Sequence, residues 1–523
     1  MNRKLVSFVC LFLFALLLPA LAQEDKLGKV NFPNSCDAKV QAQFERGVAM
    51  LHSFWYNAGE KTFRDVLAQD PSCAIATWGI ASLLMSNPLA GAGSSPKGAA
   101  QAQALIEQGR KIGAKTQRER DYIEAVAAYY EDWANRFEPD RQRSRAKAYE
   151  ALAARYPDDD EAQIFYALYL AGTQSRAEQT YAAYLKAAAI LEKQFIKYPN
   201  HPGVAHYLIH SYDAPPIAQQ GLPAARRYAS IAPSAPHALH MPSHIFTRVG
   251  AWADSAATNQ NSAAAAKKSN DPDEQMHALD YMVYAYLQLA RDSDARLVME
   301  EAAQVSGFST FIGPYAFAAI PARYAIERGD WSAATKLQPI ANNFHYTEAL
   351  TRFARALGAA RSGDPALAEK EVEQLARLRD SLKAAKNEYW ATEVEVSRLA
   401  ANAWTALALG KKDEALKLMR SAADTEDKNE KHIVTPGRIV PARELLGEML
   451  LELKRPAEAL KEFEASQKRE PNRFHGFAGA AQAAAQSGDS IKAKQYYTRL
   501  VELVGKGDPR PEVARAKAFL AQR

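Results

Sequence analysis

Apolar residues return every three or four positions along almost the whole chain, and the strict alternation that marks a strand is nearly absent. The stretch from Phe474, FHGFAGAAQAAAQSGDSIKAKQYYTRLVEL, shows the pattern: two alanine-rich helical stripes parted by a glycine turn. Prolines punctuate the chain at Asp70-Pro71, Tyr156-Pro157, Tyr198-Pro199, Ala232-Pro233 and Glu470-Pro471. Proline lacks the N–H a helix needs and clashes with the preceding turn, so each marks the end of a helical hairpin. A second mark lies between them, a glycine followed five residues later by a small residue: Gly329 and Ala334, Gly363 and Ala368, Gly410 and Ala415, Gly488 and Ala493. Gly250 with Ser255 is a looser case. The glycine closes one helix and the small residue lets the next approach it.

These marks resemble the tetratricopeptide repeat, a helix–turn–helix unit of 34 residues. The segments from Phe44 (FERGVAMLHSFWYNAGEKTFRDVLAQDP), from Arg443 (RELLGEMLLELKRPAEALKEFEASQKREP) and from Phe474 match it best. The resemblance covers most of the chain and implies an all-α, right-handed superhelical solenoid of about a dozen helix pairs, closed by a helix near 510–521. The expected divisions are a leader at 1–22, N-terminal repeats at 36–200, central repeats at 201–306, and C-terminal repeats with the capping helix at 307–523. Residues 88–100 are Gly/Ser/Pro-rich and expected to be exposed, 136–144 to lengthen a turn, and 213–221 to interrupt a hairpin. The charged run 424–431 reads as a solvated connection and 432–441 as a longer linker, with His432, Thr435, Arg438 and Arg443 belonging to the turn before the next helix.

Composition changes this picture little. With 48% hydrophobic and 24% charged residues the chain is ordinary for a folded protein. A formal charge of +5, partly owed to Arg3 and Lys4, is too mild for nucleic acid. Residues 1–22 read as a secretory leader, with Arg3 and Lys4 ahead of the apolar run LVSFVCLFLFALLLPA and Ala20-Leu21-Ala22 as the cleavage site. A membrane anchor is the weaker reading because the run is short. No other segment resembles a membrane span. Export places the protein in the periplasm or outside the cell, where Cys36 and Cys73, each opening a repeat, could form a disulfide or serve as small buried hydrophobes.

Seven of the eleven histidines lie within 201–277. His206 and His210 are one helical turn apart, His237, His240 and His244 follow in PHALHMPSH, and His277 and Asp280 share MHALDY. Residues three or four apart lie on one helix face. In the register that the resemblance implies, positions 2, 5, 9, 12 and 13 face the inner groove. His206, His210 and Asp213 then stand at 5, 9 and 12, and His237, His240 and His244 at 2, 5 and 9. His277, Asp280 and Tyr284 take 2, 5 and 9 of the next repeat, and Arg323 stands at 9 of the one after. Packed helices lie about 8–10 Å apart, and an imidazole adds about 2 Å to a metal, so ligands from neighbouring repeats can meet.

The candidate metal ligands are therefore His206, His210, His240, His244, His277 and Asp280. His237, Asp213, Tyr284 and Arg323 stand as supporting or additional contacts. Imidazole with carboxylate suits zinc, copper, iron or nickel and argues against calcium. Neither HxxxH pair reads HExxH, since Tyr207 and Met241 occupy the glutamate position, so the metalloprotease reading lacks its base. Pro242 sits where a first helical turn tolerates it, which leaves His237 near the helix start and least secure. His52 reads as packing among aromatics, and solitary His475 as a contact with solvent or a partner. No nucleophile elbow or triad appears, and Ser243 cannot face the adjacent His244.

Three functions fit this reading. The first is an exported scaffold that binds a protein or peptide partner in its groove and holds a transition metal at its centre. The second is a metalloenzyme using the same histidines, with no catalytic residue assignable. The third is an interaction module in which the histidines only contact peptide.

Overall fold

The computed structural model describes residues 25–522, so the expected leader lies outside it. Among the described residues all regular structure is helical, and consecutive helices pack as hairpins. Gln41–His52 lies on Tyr56–Gln69, Trp252–Lys268 on Pro272–Gln288, and Phe474–Gln486 on Ser490–Val504. The architecture is the all-α, tetratricopeptide-like array that the hairpin marks imply, ending on the helix Pro511–Ala521. No helix is long and apolar enough to cross a membrane among the described residues.

The turn chemistry is local. Gly329, Gly363 and Gly488 adopt positive φ, a region closed to most side chains. In each case the next residue, Asp330, Asp364 or Asp489, caps the following helix by accepting a backbone N–H. Ala334, Ala368, Ala415 and Ala493, five residues past their glycines, are all buried where the second helix meets the first. At the N-terminal end Cys36 and Cys73 are disulfide-bonded across 37 residues. Closing a loop of that length removes unfolded-state entropy worth roughly 4 kcal/mol.

Several expectations about loops are corrected. Residues 138–144 do not lengthen a turn, because Glu138–Arg155 is one continuous helix. Of 88–100, only 91–97 are largely open; Pro88, Leu89 and Ala90 are buried, and the helix Pro96–Ile112 has already begun. The largest correction concerns 424–431. Asn429, Glu430 and Lys431 are buried, as are His432 and Thr435 in the linker that follows. Their charges are paired inside the protein: Glu430 accepts from Tyr181 at 2.9 Å and Arg469 at 2.8 Å, and its N–H reaches the Arg176 carbonyl at 2.9 Å.

The linker crosses the inner face of the central repeats. Arg323 donates to the carbonyls of Arg438 and Gly437 at 2.5 and 3.3 Å. Tyr281 donates to the Thr435 carbonyl at 3.1 Å, and His432 Nε2 meets the Ala90 carbonyl at 3.1 Å. Gly437 passes so close under Tyr284 that a Cβ there would lie 2.8 Å from the phenol oxygen. The superhelix is thus plugged by its own chain.

The C-terminal repeats close back on the central ones. Trp252 donates to the Asn472 carbonyl at 2.6 Å, Gln288 accepts the Phe474 N–H at 3.0 Å, and Asp508 bonds the start of the Asp292–Ala302 helix through the Ser293 N–H at 2.7 Å. Arg473, fully buried, binds Glu327 at 2.5 Å and Glu444 at 2.8 Å and donates to Tyr284. Removing one partner of such a buried set strands the others and costs about 3–5 kcal/mol. Arg473→Met should therefore lower the unfolding free energy by about that amount, read from the denaturant midpoint. An unchanged midpoint would show that this clasp does not hold the ends together.

Candidate metal centre

Three segments supply the central histidines. In Pro202–Ser211 the His201 ring caps the helix by accepting the Val204 N–H, Pro202 occupies the first turn, and His206 and His210 follow on one face. The second segment is not one helix. Pro242 cannot donate, and the chain breaks at Met241 into Pro236–His240 and Pro242–Arg248. His237, expected to be the least secure, lies inside the first of these and is buried. The third is Pro272–Gln288, capped by Asp271, which carries His277, Asp280, Tyr281 and Tyr284.

The imidazoles assemble as two groups. His206, His210 and His237 form one and His240, His244 and His277 the other; within each, one ligand atom per ring lies within 4.8 Å of the rest. The break at Met241 divides the second segment between them, with His237 edge-on to His206 (ring centroids 5.1 Å) and His240 against His277 (4.0 Å). Asp280 joins neither group. It faces Arg323 at 3.6 Å, and burial pushes its carboxyl up to about 6 against the pull of that guanidinium. Tyr284 and Arg323 also stand apart from the imidazoles, bound to Arg473 and Glu470 and to the linker respectively.

Proton accounting sharpens the geometry. His244 Nδ1 lies 2.9 Å from Asp213 Oδ2. Burial would raise that carboxyl, yet Lys431, Arg248 and the His244 bond outweigh it and hold it far below the usual range. A carboxylate can only accept, so His244 carries its hydrogen on Nδ1. His240 Nδ1 lies 2.6 Å from Asn259 Oδ1, and the Asn259 amide donates to the Ser255 carbonyl at 2.7 Å, which fixes the amide's orientation. His240 therefore also carries its hydrogen on Nδ1. The two Nε2 lone pairs then face each other at 3.0 Å. A cation held by both lone pairs, or a water donating to both, relieves that contact.

A bridging proton is opposed by the surroundings. Burial, reinforced by neighbouring imidazoles, pushes His206, His210, His240 and His277 well below the ordinary histidine range. Burial lowers His244 as well, against the pull of Asp213. The rings are neutral donors at pH 7, the form that binds metal. Asp213 and Asn259, each holding an Nδ1–H, are the outer partners that ligating histidines use to fix ring orientation.

A further cluster shows the contrast. Glu161 accepts from His52 Nε2 and His201 Nε2, both at 2.8 Å, while His52 Nδ1 meets the Tyr207 hydroxyl at 2.9 Å and His201 Nδ1 takes the Val204 N–H. All four ring nitrogens are spent, which is the packing role expected of His52. His475, expected to meet solvent or a partner, is partly buried with Nε2 2.9 Å from the Glu327 carbonyl.

Sequence reasoning missed Lys431, Asn259, Glu274 and Tyr281. Lys431 Nζ sits 3.7 Å from Asp213, and Tyr281 Oη lies 3.5 Å from His244 Nε2. Only Tyr281, one turn after His277, carried a local signal.

No protein-family model matches the chain, and no curated protein matches it in sequence. Among solved structures, a chain in the crystal structure of the APC/C hetero-tetramer Cut9-Hcn1 aligns over 92% of this chain and 95% of its own, at 12% identity and a TM-score of 0.30. That superposition is too loose to bear on fold, activity or partner. Fold and site by themselves define the class: an all-α helical-repeat protein with a buried polyhistidine centre.

Asp213 is the charge on which this centre balances, since Arg248 binds it at 2.7 Å. Asp213→Ala would leave Arg248 and Lys431 buried without it and should cost about 3–5 kcal/mol of stability. A thermal melt superimposable on wild type would refute that balance.

Proposed function

We propose that this protein is an exported helical-repeat scaffold whose centre holds a transition metal on His240, His244 and His277. The observation that carries the reading is the facing pair of Nε2 atoms on His240 and His244, both with their hydrogens committed elsewhere. Three neutral imidazoles suit zinc, copper, iron or nickel and leave a coordination position open. Export is supported by the leader-like composition of 1–22 and by the Cys36–Cys73 disulfide, a bond that persists in oxidising compartments. A protein or peptide partner would use faces other than the central groove, which residues 429–441 occupy.

Elemental analysis of untagged protein tests the metal. At least one equivalent of transition metal per chain should survive dialysis, and the His240→Ala/His244→Ala double variant should hold one equivalent fewer. Wild-type protein that takes up neither zinc nor copper when both are offered would end the reading. Asn259→Ala, which frees the His240 ring without touching a charge, should weaken metal binding about 10–100-fold in a competition titration.

A further inference from the structure

The group His206, His210 and His237 has an unsatisfied account of its own. His206 Nδ1 lies 2.6 Å from the His52 carbonyl oxygen, so it donates there and Nε2 carries the lone pair. His237 Nδ1 lies 3.1 Å from Glu274 Oε2, which likewise leaves Nε2 as a lone pair, and that atom is buried with no hydrogen-bond partner. His210 Nε2 stands 3.1 Å from His206 Nε2, and its Nδ1 is buried without a partner. A neutral tautomer of His210 can relieve the contact with His206, but the orphans on His210 and His237 remain. Buried polar atoms are almost always hydrogen-bonded, so two orphans in one cluster call for a ligand.

The two groups adjoin. His210 and His244 rings are 5.6 Å apart between centroids, and His237 and His240 are 5.8 Å apart. Ions bound by neighbouring groups would lie within reach of a small bridging ligand, as in two-metal centres. Five of the six rings are buried and His237 is nearly so, which leaves room at the ions for a small bridging ligand. The donor set contains no carboxylate and no thiolate. Such all-imidazole sites hold copper most tightly among the divalent first-row metals, with zinc next available.

We infer that His206, His210 and His237 bind a second transition-metal ion, so that the six histidines form a two-metal centre whose preferred ion is copper. This rests on the metal reading above and adds to it the second site, the stoichiometry and the ion.

The test is a titration of metal-stripped, full-length protein with copper, and separately with zinc, counting tightly bound ions per chain. Two equivalents are expected on the wild-type chain, with copper displacing zinc. His206→Ala/His210→Ala and His240→Ala/His244→Ala should each keep one. A wild-type stoichiometry of one, unchanged by His206→Ala/His210→Ala, overturns the second site while leaving the first intact. A single ion lost in both double variants overturns it too, by showing one shared site. No binding at all removes both readings together. Because the double variants could misfold, an anomalous-scattering map of copper-loaded wild-type crystals gives the same answer without them: two peaks support the inference, and one peak rejects it.

Discussion

Everything at the centre of this protein depends on where the ring hydrogens go. An imidazole buried at neutral pH has one hydrogen and one lone pair. Asp213 and Asn259 fix the hydrogens of His244 and His240 on Nδ1, and so aim two lone pairs at one point. The helices bring the rings together, but the acceptors behind them decide what the rings can bind. His52 and His201 are as deeply buried and stand beside the same helices, yet Glu161 takes both their Nε2 hydrogens and leaves no lone pair unclaimed. The same residue type therefore forms a structural bridge in one cluster and an open donor set in the next.

The rest of the molecule encloses that arrangement. A solenoid whose repeats touch only their neighbours has an open inner face. Here residues 429–441 run along that face, and their polar groups are satisfied by all three regions: Arg176 and Ala90 from the N-terminal repeats, Tyr281 from the centre, Arg323 and Arg469 from the C-terminal repeats. Lys431 brings a buried cation to Asp213, which keeps that carboxylate ionised and its grip on His244 intact. The linker is thus part of the site's electrostatics as well as its cover. Arg473 performs the corresponding task for the fold, joining Glu327 and Glu444 of the C-terminal repeats to Tyr284 of the central ones.

The sequence disclosed whatever was decided locally. Gly329, Gly363 and Gly488 marked their turns because positive φ is a property of one residue, and the alanines five positions on marked close packing for the same reason. The histidine stripes were legible because helical spacing places His206 with His210 and His277 beside the second segment. Their division into two groups was not legible. It follows from the break at Met241, which turns His237 toward His206 of the preceding repeat and His240 toward His277 of the following one. Nor was the fate of 424–431, because Glu430 and Lys431 look like solvated charges until Tyr181 and Asp213, more than 200 residues away, appear beside them. Asp280 misled for the opposite reason: its register was sound, but Arg323, one repeat on, had the stronger claim.

That last competition explains why the donor set is purely imidazole. A carboxylate in a dry interior is stable only beside a cation, and the cations here are already allotted: Arg323 faces Asp280, while Arg248 and Lys431 face Asp213. Asp213 acts from behind His244 and Glu274 from behind His237, each taking an Nδ1 hydrogen, so the acids polarise the rings from outside the donor set. Negative charge thus reaches the centre only through the rings. Such an environment favours ions that bind neutral nitrogen strongly over hard cations that require direct oxygen contact, and it does so through three arginine and lysine side chains paired with the acids behind the donor set.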